Sequence, residues 1–238
     1  MVRRLQPGDA LRLFDGASGR DWPAAVVAIT RRAVTVRLGG AAVAAAAGEL
    51  PLAVTLAFGM PANERIDALV EKATELGVSA LQPLSTERTV LKLAGERAAR
   101  KREHWQAIAV SACEQCGRAR VPVVHAVQDL MHWLQEAGPA RGSRSLHEAE
   151  PARAARWLLS TRDDATPVHE AWTAAAPTPA GRPSHVVLLS GPEGGLGEME
   201  ERTARAAGFV AVTLGPRILR ADTAPLAALA WLALSQPA

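Results

Sequence analysis

Two apolar runs, HVVLLS at 185–190 and FVAVTL at 209–214, each stop at a glycine-rich turn, SGPEGGLG and LGPRILRADTA, and each turn leads into helix-forming sequence. Runs this short, closed by glycine, read as strands buried on both faces. Strand, turn and helix in series imply a mainly parallel sheet with helices on both faces. In such a sheet both turns lie at one edge, and glycine lets a ligand press against bare backbone. The pair therefore frames a candidate pocket for a small molecule.

The same alternation runs back to residue 52. LAVTLAF is followed by Asn63 as an expected N-cap and by a helix carrying Ile66, Leu69, Val70 and Ala73 on one face, ended at Gly77. The strand VSALQPL follows. A long helix from about Glu96 to Cys116 holds Trp105, Ile108, Ala109, Ala112 and Cys116 on one stripe. VPVVHAV, DLMHWLQEAG and RSLHEAE read as strand, helix and strand, with a short helix expected over 153–159 and a linker or surface loop over 160–183. The helix GEMEERTARAAG and a last helix from Asp222 to Ser235 complete the α/β pattern. Residues 5–38 differ: ALRLF, a turn at Asp15-Gly16, WPAAVVAI and AVTVRL suggest a small antiparallel unit, marginal by itself. Two domains are expected, 1–48 and 49–238.

Charge is uneven. Residues 1–120 hold 17 Lys/Arg against 12 Asp/Glu, whereas 121–238 hold 10 against 12, so the net +3 arises wholly in the first half. Arg97, Arg100, Lys101 and Arg102 are its densest cluster, readable as a polyanion contact or as a solvated helix face. The N-terminal segment lacks a signal-type apolar core, and the most apolar stretch, 41–58, is broken by Gly48, Glu49 and Pro51. A cytoplasmic protein without a membrane span is expected. Cys113 and Cys116 form one CxxC with no second pair to complete a zinc site, and they close a helix rather than open it. Structural thiols and no metal are the reading.

Common phosphate motifs fail in the first glycine turn. No GKS or GKT follows for a Walker A loop, and Glu200 stands where a dinucleotide fingerprint needs its third glycine. No Ser-His-Asp spacing or HExxH is present, and His125, His132, His169 and His185 read as packing or surface residues. His147, with Glu148, ends an expected strand and is a candidate for the same sheet edge. Glu193, Arg217 and Arg220 are the charges expected near the pocket. Glycine backbone with two arginines suits an adenine-bearing ligand beside an anionic substrate.

Five ordered blocks, LQPGDALRLFDG at 5–16, EKATELGVSALQPLSTER at 71–88, ACEQCGRARVP at 112–122, GPEGG at 191–195 and LGPRILRADTA at 214–224, resemble the RsmE family of SPOUT-superfamily methyltransferases. That resemblance implies an N-terminal PUA-like β-barrel that helps bind RNA and an α/β domain whose C-terminal segment forms a trefoil knot. It also implies a homodimer and methylation of N3 of a uridine in 16S ribosomal RNA of the small subunit, with S-adenosylmethionine as donor. By matched position, Leu189, Gly191, Gly194 and Gly195 line the cofactor with Leu214, Gly215, Ile218 and Leu219, joined by Thr223 and Ala224. Leu146 and His147 belong to a third loop around it. Arg88, Arg100, Lys101, Arg102, Arg118 and Arg217 are the expected RNA contacts.

The chain departs from the family in two places. The family has further residues ahead of Val2, including a strand that closes the barrel, and its Arg-Thr-Glu-Thr-Ala is here Arg220-Ala221-Asp222-Thr223-Ala224, followed by Pro225. A proline in the first helical turn is tolerated. Arg220, with Arg217, is expected to stabilise the uridine anion or its phosphate. Glu193 is either the proton acceptor or a carboxylate that caps a helix or holds a loop. Alternatives open to sequence are a sister enzyme acting at another RNA position, a non-catalytic ribosome-binding protein and a generic nucleotide-binding enzyme.

Overall fold

The computed structural model describes residues 5–44, 48–136, 154–175 and 183–236. Its contacts divide the chain into two units, one of residues 1–49 with 113–121, the other of 50–112 with 122–238.

In the first unit, β1 (Ala10–Phe14), β2 (Arg20–Ile29) and β3 (Val34–Leu38) form an antiparallel sheet, and β4 (Val43–Ala44) pairs with the start of β2. The β1–β2 turn is fixed by Asp15, whose carboxylate accepts the N–H groups of Ala17 at 2.9 Å and Ser18 at 2.8 Å. These bonds hold its carboxyl below the ordinary value. Segment 117–121 clasps this turn: Val121 N–H donates to the Gly16 carbonyl at 2.8 Å, and the Arg120 guanidinium donates to the carbonyls of Ala17 at 2.9 Å and Ser18 at 3.1 Å.

Among the described residues, the second unit is built on eight parallel strands: β5 (Ala53–Gly59), β6 (Ala80–Ser85), β7 (Val123–Val124), β8 (Gln128–Asp129), β9 (Ala154–Leu159), β10 (Thr166–Pro167), β11 (His185–Ser190) and β12 (Val210–Thr213). Their order is β10-β12-β9-β11-β5-β6-β7, with β8 also on β6. β5 and β11 are buried on both faces, as parallel strands covered by helices must be. The helices are α1 (Asn63–Glu75), α2 (Gly95–Cys116), α3 (Leu130–Glu136), α4 (Val168–Ala175), α5 (Glu198–Ala206) and α6 (Thr223–Leu234).

Strand alternation assigns the two faces of β11. Val187 and Leu189 join Leu130, Trp133 and Leu134 of α3, Ala204 of α5 and Phe209 in one cluster. Val186 and Leu188, also buried, point to the opposite face. There α6 packs on β11 and α1, and Trp157, Trp172 and Trp231 form a triad with centroids 5.9–6.3 Å apart.

Three local expectations are corrected. Residues 154–159 form a strand instead of a helix, because β9 lies mid-sheet and is paired on both sides by β11 and β12. The stretch 160–183 contains β10 and α4, the latter anchored by buried Ala171 and Trp172. The N-cap position of α1 is Ala62 rather than Asn63. The expected strand RSLHEAE lies outside the described residues.

Leu188 is fully buried at the centre of this sheet. Leu188→Ala is expected to destabilise the protein by about 2–5 kcal/mol, read from a lower urea midpoint with the slope unchanged.

Candidate functional site

Because β5, β6, β9, β11 and β12 run parallel, the loops after them emerge at one edge of the sheet. They enclose a cavity of about 810 Å³ within the second unit, a volume in the range of small-molecule and cofactor sites.

The first glycine turn forms the cavity's tightest wall. Pro192 lies so close to the end of β5 that a Cβ on Gly59 would stand 2.5 Å from the proline Cδ. Gly191 is also confined, since its Cβ would meet the backbone of Gly195 and Leu196 at 3.0 Å. The turn closes with Gly195 N–H donating to the Pro192 carbonyl at 2.8 Å, and Gly195 holds φ at +70°. Side chains at these points would displace the turn or fill the space it leaves.

Carboxylates and arginines lock this turn to its neighbours. Ala62, ahead of α1, donates its N–H to Glu193 Oε1 at 3.0 Å, and Arg65 Nη1 lies 3.5 Å from the same oxygen. Glu193 therefore occupies the N-terminus of α1 and holds the loop, one of the two roles expected for it. Arg88 Nη1 donates to the Gly194 carbonyl at 2.7 Å. On the far wall, Arg162 Nη1 pairs with Glu201 at 3.2 Å, and Arg205 bridges Glu201 at 2.9 Å and Asp164 at 3.1 Å.

The second loop carries Leu214, Gly215, Ile218 and Leu219 to the cavity, with Ala224 from the first turn of α6. The N–H groups of Thr223 and Ala224 donate to the Arg220 carbonyl at 3.0 and 2.9 Å, so Arg220 sits where the loop turns into helix. Asp222 occupies the N-cap position without a side-chain capping bond. The guanidinium groups of Arg217 and Arg220 are exposed at the cavity and form no ion pair among the described residues.

Most of the expected site residues meet here, with informative exceptions. Leu189 is fully buried in the α3–α5 core beneath the turn, and Thr223 begins α6 outside the lining. Leu146 and His147 lie outside the described residues; among the described residues, a third loop bordering the cavity is Leu159 to Arg162, directly after β9. Arg65, Arg88, Arg162 and Glu201 also reach the cavity, so its charges are more than the three expected. Topology alone brings those residues in, although Gly197-x-x-Glu200 is a readable helix-start pattern.

Of the remaining cations, Arg100, Lys101 and Arg102 lie in the first turns of α2, where Arg102 Nε donates to the Val124 carbonyl at 2.8 Å. Arg118 does not face solvent as expected of an RNA contact. In the first unit it is 6% exposed, with Nη2 2.7 Å from Glu49, because its burial requires a counter-charge. Among the described residues no cluster of His, Cys, Asp or Glu is placed to hold a metal, and no helix is long and apolar enough to cross a membrane.

Family comparison agrees with this geometry. An RNA methyltransferase domain matches residues 48–233, and an RNA methyltransferase PUA domain matches residues 2–39. Ribosomal RNA small subunit methyltransferase E of Synechocystis is 35% identical over 97% of this chain and 68% of its own length. The crystal structure of ribosomal RNA small subunit methyltransferase E from Neisseria gonorrhoeae, bound to S-adenosyl methionine, superposes with a TM-score of 0.76 at 34% identity, over 96% of this chain and 84% of that one. A Legionella pneumophila protein solved with the bound cofactor SAM superposes with a TM-score of 0.80 at 30% identity, over 98% and 85%. Matched across both units in sequence and fold, the chain belongs to the ribosomal RNA small subunit methyltransferase E family of RNA methyltransferases.

Proposed function

We propose that this protein methylates N3 of a uridine in 16S ribosomal RNA of the small ribosomal subunit, in the cytoplasm, with S-adenosylmethionine as donor. The observation that carries the reading is the pairing of a glycine-framed cavity of about 810 Å³ with two exposed arginines, Arg217 and Arg220, that have no carboxylate partner among the described residues. A cofactor fits where Gly191, Gly194 and Gly195 line the wall without side chains. Leu214, Gly215, Ile218 and Leu219 would hold it from the second loop, and Leu159 to Arg162 from the third. When bound, S-adenosylmethionine supplies a methyl group on a sulfonium sulfur.

The chain's own contribution is electrostatic and positional. Loss of the N3 proton to water leaves negative charge on the uracil ring, and a permanently charged guanidinium favours that anion without acting as a base. Arg220 is assigned this role, with Arg217 toward the adjoining phosphate. Glu193 is assigned to holding the turn, since its Oε1 already accepts the Ala62 N–H and faces Arg65. Arg220→Ala is expected to keep its affinity for S-adenosylmethionine and to lower methyl transfer to undermethylated small subunits by about 100-fold, measured by single-turnover kinetics. Undiminished transfer would remove Arg220 from the mechanism.

The basic cluster of α2 is assigned to phosphate contact. Replacing Arg100, Lys101 and Arg102 with alanine is expected to weaken RNA binding and to flatten the slope of log K against log salt by about 2–3, whereas an unaltered slope marks a solvated face.

A homodimer through α6 belongs to the same reading. The helix, TAPLAALAWLAL, has no polar face, and its Leu234 is 86% exposed. Sedimentation equilibrium is expected to give a dimer that Leu234→Glu shifts toward monomer; a monomeric parent protein would overturn the assignment.

A further inference from the structure

Glu200 has no part in the preceding reading, yet its side chain is among the most buried charged groups of the second unit, at 5% exposure. Oε2 accepts the Gly197 N–H at 2.8 Å, which is the helix-capping half of its role. Oε1 accepts the Glu87 N–H at 2.8 Å, a bond that no helix requires. This second bond ties the loop after β6 to the glycine turn after β11. Contact between the two loops is close enough that a Cβ on Gly197 would collide with the Glu87 carboxylate.

Next along the chain from Glu87 is Arg88. Its Nη1 donates to the Gly194 carbonyl at 2.7 Å, and its stem packs where a Cβ on Gly194 would be 3.3 Å from Arg88 Cβ and Cδ. Arg88 and Gly194 line the cavity, and Glu200 does not. We propose that Glu200 is a positioning residue for the cofactor: by fixing the Glu87 backbone it seats Arg88 on the glycine turn, and it acts through Arg88. The inference rests on the cofactor reading of the cavity. A carboxylate is required because both of its oxygens accept; glutamine has the same shape but turns an NH₂ toward one of the two donors.

The test is calorimetric titration of the full chain with S-adenosylmethionine, comparing wild type, Glu200→Gln, Arg88→Ala and the double variant, with the unfolding midpoint of each ligand-free protein. Each single change is expected to weaken Kd about tenfold, the scale of one charge-assisted hydrogen bond, and the double variant to bind no more weakly than either single one. Losses that multiply in the double variant overturn the coupling through Arg88. A lowered midpoint with unchanged Kd in Glu200→Gln makes the residue a helix cap only. Arg88→Ala removes no buried group, so an unchanged Kd in that variant overturns the inference even where Glu200→Gln does not fold. A wild-type protein that binds no S-adenosylmethionine overturns the cofactor reading itself.

Discussion

The position of β11 between β5 and β9 is the constraint on which the site depends. His185 pairs with both Ala53 and Ala154, and the ladders continue to Ser190 opposite Phe58 and Leu189 opposite Leu158. This parallel register brings the ends of three strands to one level. Pro192, two residues past β11, therefore meets Gly59, one residue past Phe58, at a separation that leaves no room for a side chain. A slip of one residue would also exchange Leu188 with Leu189 between the two helical layers. Packing on both faces thus fixes the height at which the glycine turn opens.

Charge at that edge follows from what the turn needs. Among the cavity's arginines, Arg65, Arg88 and Arg162 engage groups of the protein itself: the Glu193 carboxylate, the Gly194 carbonyl and Glu201. Carboxylates answer the charge of Arg65 and Arg162, and a carbonyl dipole alone faces Arg88. Arg217 and Arg220 lie on the loop between β12 and α6, and that stretch offers Asp222 alone as an acid. The field of the cavity is therefore asymmetric among the described residues, with most of its uncompensated positive charge at the second loop, where an anion is favoured.

Much of this was legible in sequence because it rests on short-range rules. HVVLLS matches β11 residue for residue, and both glycine turns fall where apolar runs stop. The failures share a cause, since each required knowledge of a distant partner. RWLL has no helical or alternating pattern of its own and becomes strand because two neighbours pair with it. TPVHEAWTAA looked like a linker until Trp172 met Trp157 and Trp231. Arg118, in a basic stretch, was expected at RNA, and its partner Glu49 lies 69 residues earlier.

The same distance dependence accounts for the composition of the first unit. A sheet of so few residues buries little apolar surface, and Val27, Ile29, Val34 and Leu38 remain exposed on it. What the sheet lacks in core is offset by polar bonds from segment 113–121. Glu49 accepts from Arg118 and from the Arg120 N–H, while Arg120 reaches the Asp15 turn through two carbonyls. Cys113 supplies apolar volume in that segment, with burial raising its thiol to about 11, so it packs as a protonated side chain. A boundary drawn near residue 48 from composition follows the chain, whereas the packing boundary must include 113–121, because those residues supply the counter-charges and donors that the sheet's loops would otherwise leave to solvent.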